Sequence, residues 1–234
     1  MEFGIIFIIV ALAAIWFIAS GNYKTKVQDP QTMRSSEVED SIVELKKKIL
    51  ITCAYEKEAE YKRLYYRLNS LMEQVLNRHR HFVLDVEAAK LATDGLFQQE
   101  RYHDSSGMAC PTYSVAQHID LSAFPPATLV YVCFFLWHGG QVRNIGNIDS
   151  NPEFMMKIIE FLIRDNGYGP AIFMKGMVRK YGIKVYSECF PIEAKQLLER
   201  AREAGVGSAA IELEHLPKYS ELAGIKSTQL GEPR

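Results

Sequence analysis

The strongest constraint in this chain is an uninterrupted apolar run at residues 3–19, FGIIFIIVALAAIWFIA, which is followed by Ser20, Gly21 and Asn22. At a rise of about 1.5 Å per residue, a helical run of this kind with its flanks covers a hydrocarbon core of about 30 Å. Backbone polar groups inside lipid must pair with one another, which a helix achieves and a loop does not. We therefore predict a transmembrane anchor over residues 1–22.

The charges beside this run favour a retained anchor over a cleaved signal peptide. A signal peptide has a basic segment before a shorter apolar run, whereas the only charged side chain before this run is Glu2. Lys24, Lys26 and Arg34 follow the run, and an excess of Lys and Arg marks the cytoplasmic side of a membrane. The sequence predicts a single-pass membrane protein with a cytoplasmic body, and cleavage near Ala19 is the alternative.

The overall composition excludes several other classes of protein. The net charge is −1 and 48% of the residues are hydrophobic, which argues against a disordered chain and against a strongly basic binder of polyanions. The cysteines Cys53, Cys110, Cys133 and Cys189 are scattered and show no zinc-ligand spacing. We expect no metal site and free thiols in a reducing compartment.

Residues 23–35 read as a linker, and residues 36–101 as a long helical segment with a heptad-like seam. Ser36 and Glu39 have the spacing of a capping box at its start. The apolar seam positions alternate in steps of three and four, which is typical of a coiled coil; they are Val38, Ile42, Leu45, Ile49, Leu64, Leu68, Leu71, Val75, Phe82, Val86 and Ala89. We predict a stalk that self-associates or binds protein partners through 36–101. The alternative is an antiparallel hairpin packed on the rest of the chain.

Residues 102–206 are predicted to form a compact helical domain, and 207–234 a C-terminal tail. Asn151-Pro152, Gly169-Pro170 and Pro191 mark helix starts, and glycines follow the corresponding helix ends. The apolar run at 127–137 is too short to cross a bilayer and is expected to be a buried core helix, with a membrane-dipping segment as the alternative. The predicted fold class is all-α.

Two groups of residues carry candidate chemistry. His138 and Arg143 flank a Gly-Gly turn and form a candidate polar corner, for which the alternative is a histidine that caps a helix. A stretch without acidic residues carries further bases that suit anionic lipid or another anion, namely Lys175, Arg179, Lys180 and Lys184. The alternative for this stretch is a solvated helix face. Balanced charge in 36–101 makes nucleic acid an unlikely partner.

The leading functional hypothesis is a membrane-anchored, non-catalytic scaffold or assembly subunit that acts through helical contacts. The sequence contains no phosphate-binding loop, no dinucleotide fingerprint and no nucleophile elbow, and we expect no cofactor. The rival hypotheses are a membrane-tethered effector enzyme or a ligand sensor, with its site near His138, Arg143 and the basic stretch Lys175–Lys184.

Overall fold

The computed structural model describes residues 34–51, 58–79, 96–103, 109–115, 119–142, 146–184 and 187–225. The chain divides into residues 1–34 and a compact unit, Ser35–Arg234. Within the described ranges no helix is both long enough and apolar enough to cross a membrane. The predicted anchor at 1–22 and almost all of the linker at 23–35 lie outside those ranges.

The described body is mainly helical, as the sequence predicts. Its α-helices are α1 (Ser35–Ile51), α2 (Glu58–His79), α3 (Pro126–His138), α4 (Pro152–Asn166), α5 (Gly169–Tyr181), α6 (Pro191–Glu203) and α7 (Ser208–His215). Two 3-10 segments, Leu121–Ala123 and Leu216–Leu222, complete the helical part. The strands are β1 (Phe97–His103), β2 (Ala109–Val115), β3 (Gly140–Val142) and β4 (Gly146–Ile148).

The predicted helical class is supported, and a small four-stranded sheet, which the sequence did not predict, accompanies the helices. Its strand order is β1-β2-β4-β3, with β1–β2 and β3–β4 antiparallel and β2–β4 parallel. The sequence analysis missed it because β1 reads FQQERYH and lacks the alternation of apolar and polar residues that marks a half-buried strand. β2 contains Pro111, which ordinarily argues against a strand.

Helices α1 and α2 form an antiparallel hairpin. Arg78, near the end of α2, donates hydrogen bonds to Ser35 Oγ at 2.6 Å and Glu39 Oε1 at 3.0 Å, both at the start of α1. The seam residues described in this hairpin are almost all buried in the single chain; they include Val38, Ile42, Leu45, Ile49, Leu68, Leu71 and Val75. The apolar seam therefore has intramolecular partners, as the alternative reading of 36–101 anticipated.

The capping-box prediction at Ser36 and Glu39 is wrong. The helix begins at Ser35, and the Glu39 side chain is buried in the body instead of returning to the helix start. Its oxygens contact Arg78, Tyr181 and Tyr219. Sequence spacing cannot distinguish a glutamate that caps its own helix from one that packs against a neighbouring element, because both occupy the first turn.

The prediction for 127–137 as a core helix agrees with α3, in which all residues from Thr128 to Trp137 are buried in the body. The Trp137 indole donates to the Gly182 carbonyl at 3.2 Å and so ties α3 to the end of α5. Gly182 has φ +90°, and a Cβ there would lie 2.9 Å from the Ser187 carbonyl oxygen. Only glycine suits this turn.

The segment assigned to a C-terminal tail belongs to the body up to residue 225. Residues 208–222 form α7 and the second 3-10 segment, and Ala209, Glu212, Tyr219 and Leu222 are fully buried. A bridge between Cys189 and Ala223 joins this segment to the chain just before α6. Residues 226–234 lie outside the described ranges.

Candidate functional site

The predicted polar corner is described at His138 only, because Arg143 lies outside the described residues. His138 is the last residue of α3, and its ring stacks on Trp137 with centroids 5.1 Å apart. Its Nε2 is buried and has no hydrogen-bond partner among the residues that the structure describes. Burial, reinforced by the nearby Lys46 ammonium, lowers the pKa of His138 to about 3. The ring is therefore neutral at physiological pH.

Two residues of the predicted basic stretch have acidic neighbours on the surface. Lys175 pairs with Glu160 at 2.6 Å, and Arg179 pairs with Glu193 at 3.1 Å. The Arg179 guanidinium also lies 5.2 Å from the Phe190 ring centroid. These local pairs offset much of the positive field that the sequence suggested. Lys184 is partly exposed, and its backbone amide donates to Ser187 Oγ at 2.9 Å.

Lys180 does not belong to a basic surface, which corrects the prediction for this residue. Its side chain is fully buried. Its ammonium donates to Glu212 Oε2 at 2.7 Å and lies 3.5 Å from Glu39 Oε2. Burying an ammonium without a counter-ion is costly, so Lys180 is placed where two carboxylates meet.

Lys180 lies in a charged core cluster that the sequence analysis did not detect. We define this cluster as Glu39, Arg78, His79, Lys180, Tyr181, Glu212 and Tyr219. Glu212 is the most connected carboxylate: His79 Nε2 donates to its Oε1 at 2.7 Å, and the Tyr181 hydroxyl lies 2.6 Å from its Oε2. Five separate elements contribute side chains: α1, α2, α5, α7 and the second 3-10 segment.

The second carboxylate of the cluster, Glu39, is shared between two tyrosines. The Tyr219 hydroxyl donates to its Oε2 at 2.6 Å, and the Tyr181 hydroxyl lies 2.8 Å from its Oε1. A hydroxyl carries one hydrogen. Tyr181, which contacts both Glu39 and Glu212, therefore donates to one carboxylate at a time and bridges the two.

The electrostatics of the cluster favour an ionised Glu212 and neutral phenols. Burial alone would raise the pKa of Glu212, but the Lys180 ammonium and the His79 ring hold it well below its usual range. Burial and the neighbouring carboxylates raise the pKa values of Tyr181 and Tyr219 well above the ordinary tyrosine value. The cluster is thus a set of fixed charges that hold five elements in one register.

A second buried lysine, Lys46, places its ammonium at the C-terminal end of α5. Its ammonium donates to the Tyr181 carbonyl at 2.7 Å and to the Ser187 carbonyl at 3.2 Å. A cation at a helix C-terminus interacts favourably with the helix dipole. Burial lowers the pKa of Lys46, and contact with the Cys189 thiol partly opposes that effect. Cys133 and Cys189 are free thiols.

The sequence does contain a weak signal for these buried charges. Glu39 and Lys46 have opposite charges and lie seven residues apart, so they share one face of α1 beside the seam. Charged residues at that spacing are usually solvated. Only their partners on α2, α5 and the second 3-10 segment, which are distant in sequence, reveal that both are buried.

A groove lies beside α6 in the described body, and we call it the α6 groove. It has a volume of about 380 Å³ and lies between α6 and the segment formed by α7 and the second 3-10 segment. Its apolar lining residues are Pro191, Ile192, Leu213, Leu216 and Pro217. No residue of the charged core cluster lines it.

Large apolar side chains are exposed at the start of α6. Ile192 is 76% exposed and Phe190 is 39% exposed. Phe190 also lines a second groove of about 370 Å³, together with Met156, Val178 and Ile183. Single exposed apolar residues are ordinary, whereas two of them two residues apart, each lining a groove, form a candidate binding surface.

Three charged residues, Lys195, Glu199 and Arg202, also line the α6 groove. Lys195 lies 4.0 Å from Glu199. Arg202 is exposed, and no carboxylate among the described residues pairs with its guanidinium. The groove therefore combines an apolar floor with one unmatched positive charge.

Comparison with known proteins supplies no relative for this chain. No protein-family model, no curated protein and no solved structure matches it. Among the residues that the structure describes, no three His, Cys, Asp or Glu side chains are grouped to hold a metal ion. Its function is therefore inferred from its own residues.

Proposed function

We propose that this protein is a membrane-anchored, non-catalytic adaptor that holds a protein partner at the membrane through its helical body. The observation that carries the proposal is the exposed apolar surface at Phe190 and Ile192 beside the α6 groove. Complete burial of one isoleucine side chain contributes about 1.5–3 kcal/mol. An exposed pair of this kind is a favourable anchor for a partner.

The apolar run at residues 3–19 supports the membrane part of the proposal. Lys24, Lys26 and Arg34 support a body on the cytoplasmic side. The partner surface differs from the one that the sequence suggested. The seam of 36–101 is buried within the chain where it is described, so we assign partner binding to α6.

Site-specific photo-crosslinking in intact membranes tests this function. A photoreactive phenylalanine analogue replaces Ile192 in the full chain, and a matched variant carries it at Tyr66, which is 67% exposed on α2. We expect a discrete adduct with one protein from position 192 and none from position 66. The full chain should also stay in the membrane pellet after alkaline carbonate extraction.

Two results would contradict the proposal. One is the absence of any adduct at position 192 under conditions in which the chain is folded and present in the membrane. The other is release of the full chain into the soluble fraction by carbonate. Protease protection in sealed vesicles tests the orientation separately, and a body that is digested only from the outer side would reverse it.

A further inference from the structure

Two helical segments line the α6 groove. On one wall Ile192, Lys195, Glu199 and Arg202 follow one another at steps of three and four along α6. On the other wall the residues from Leu213 to Ser220 repeat the same spacing. Side chains at these steps share one helix face. The groove is therefore a channel between two helical stripes.

The two ends of this channel differ in chemistry. Ile192 presents an exposed apolar side chain at one end, and Arg202 presents its unmatched guanidinium at the other. They are ten residues apart on α6, which corresponds to about 15 Å along the helix axis. Glu199 is the neighbour of Lys195 between them, so the net charge of the channel comes from Arg202.

We propose that the α6 groove binds an amphipathic helix of a partner protein, which presents an apolar residue to Ile192 and a carboxylate to Arg202 about three turns away. This inference rests on the proposed adaptor function and specifies its partner. The apolar contact supplies affinity, and the carboxylate fixes the direction and register of the bound helix. A guanidinium donates two parallel hydrogen bonds to a carboxylate, which makes the position of the acid selective.

A helix fits this site better than an extended strand or a lipid surface. Both walls are helices whose backbone groups are already paired, so a strand would find no edge to extend. A flat anionic membrane favours several bases spread over a surface. Here one arginine stands at the end of an apolar channel, and the nearest lysine already has an acidic neighbour.

Peptide binding to the full chain tests the inference. The chain is reconstituted in zwitterionic lipid nanodiscs, and empty nanodiscs measure partition of peptide into lipid. Three fluorescent helical peptides of about 18 residues share one leucine face. The first carries an anchor leucine near one end and Glu ten positions from it, the second carries Lys in place of that Glu, and the third carries its Glu beside the anchor. We expect the first to bind at least about tenfold more tightly than the other two.

Matched variants identify the residues responsible. Arg202→Glu should reverse the preference between the first and second peptides, whereas Arg200→Glu, which places the same charge on another face of α6, should leave it unchanged. Ile192→Asp should weaken binding of the first peptide at least about tenfold. Ile211→Asp should not, because Ile211 is exposed outside the groove lining. Circular dichroism confirms that each variant is folded.

Several outcomes would overturn the inference. Equal affinity for the Glu and Lys peptides, or an unchanged preference in Arg202→Glu, refutes the proposed contact between Arg202 and a partner carboxylate. Equal binding to empty nanodiscs identifies lipid as the occupant. Binding that appears only after residues 226–234 are deleted identifies the chain's own C-terminal segment as the occupant. A crosslink at position 192 without a charge preference refutes this inference alone, whereas loss of both the crosslink and all peptide binding also refutes the adaptor function.

Discussion

At the scale of single residues, the charged core cluster places ionisable side chains inside the body, each beside a partner of opposite charge or a hydrogen-bond donor. Lys180 and Glu212 are both fully buried, and each supplies the opposite charge that the other needs. Removing one partner leaves an uncompensated charge, whereas replacing both with apolar groups can be nearly neutral. The cluster therefore predicts strongly non-additive effects of mutation.

Glu212→Gln is expected to lower the free energy of unfolding by about 3–5 kcal/mol, because it leaves the Lys180 ammonium without its closest carboxylate. The double variant Lys180→Met, Glu212→Gln should recover at least half of that loss. Urea unfolding of the full chain in detergent, followed by Trp137 fluorescence in a Trp16→Phe background, measures both. Additive losses in the double variant would show that the two side chains do not interact.

His138 is expected to make the body less stable as the pH falls below neutrality. The unfolded histidine has a pKa of about 6.5, whereas that of the folded residue is about 3. Below pH 6.5 the unfolded state binds a proton that the folded state does not. Stability therefore decreases with falling pH, by at most about 1.4 kcal/mol per pH unit, until the folded residue also titrates.

His138→Phe, which retains an aromatic ring beside Trp137, should remove most of this slope between about pH 6.5 and pH 5. Glu212 does not interfere in that window. Its lowered pKa contributes stability above the unfolded value of about 4.3, and that stability is lost only below it. Urea midpoints across this pH range measure the slope, and identical slopes for wild type and variant would exclude His138 as its source.

At the scale of secondary-structure elements, helix boundaries were the most predictable part of the chain. Asn151 caps α4 by accepting from the Phe154 amide at 3.0 Å, and Gly167 ends that helix in the left-handed conformation. Pro126 and Pro191 open α3 and α6. These signals act within one turn and need no distant partner. The sheet lacked such signals, and it was missed.

The packing of α5 on α6 depends on Gly176. A Cβ at this position would lie 2.9 Å from Leu198 Cγ and Cδ2. Gly176→Ala should destabilise the body by about 1 kcal/mol, because the clash in a packed core exceeds the gain in helix propensity. In a Leu198→Ala background the same change should be stabilising, because the clash is gone and the propensity gain remains. Thermal unfolding of the wild type, the two single variants and the double variant gives the sign of the stability change caused by Gly176→Ala in each background. The same sign in both backgrounds would contradict this account.

At the scale of the whole molecule, the antiparallel hairpin decides which surfaces remain available. Residues from α1 reach α5 and the second 3-10 segment through Glu39 and Lys46. A free stalk would leave its seam open to a second chain. Here the described seam contributes to the core of one chain, and the most exposed apolar residue of the described body is Ile192 on α6.

Ile42→Asp is expected to unfold the body rather than dissociate an oligomer, because Ile42 is fully buried in the hairpin and a charge there would have no partner. Circular dichroism should show loss of helix, and light scattering of the detergent-solubilised chain should show aggregation or expansion. Tyr66→Asp on the exposed face of α2 serves as the control. A folded Ile42→Asp chain that changes from oligomer to monomer would restore the stalk model.

The sequence by itself determined the helical character of the body, the ends of α3 to α6 and the expectation of an N-terminal anchor, because these follow from apolar runs and from capping within one turn. It could not determine that 36–79 folds back, that 207–225 belongs to the core, or that Lys180 is buried. Each of these depends on contacts between residues far apart in the chain, such as Glu39 with Tyr219 and His79 with Glu212. A charge pattern does not distinguish a solvated helix face from a buried ion pair, because the difference lies in which distant element covers it. Only the tertiary structure supplied that information, and it transferred the candidate binding surface from the predicted stalk to the α6 groove.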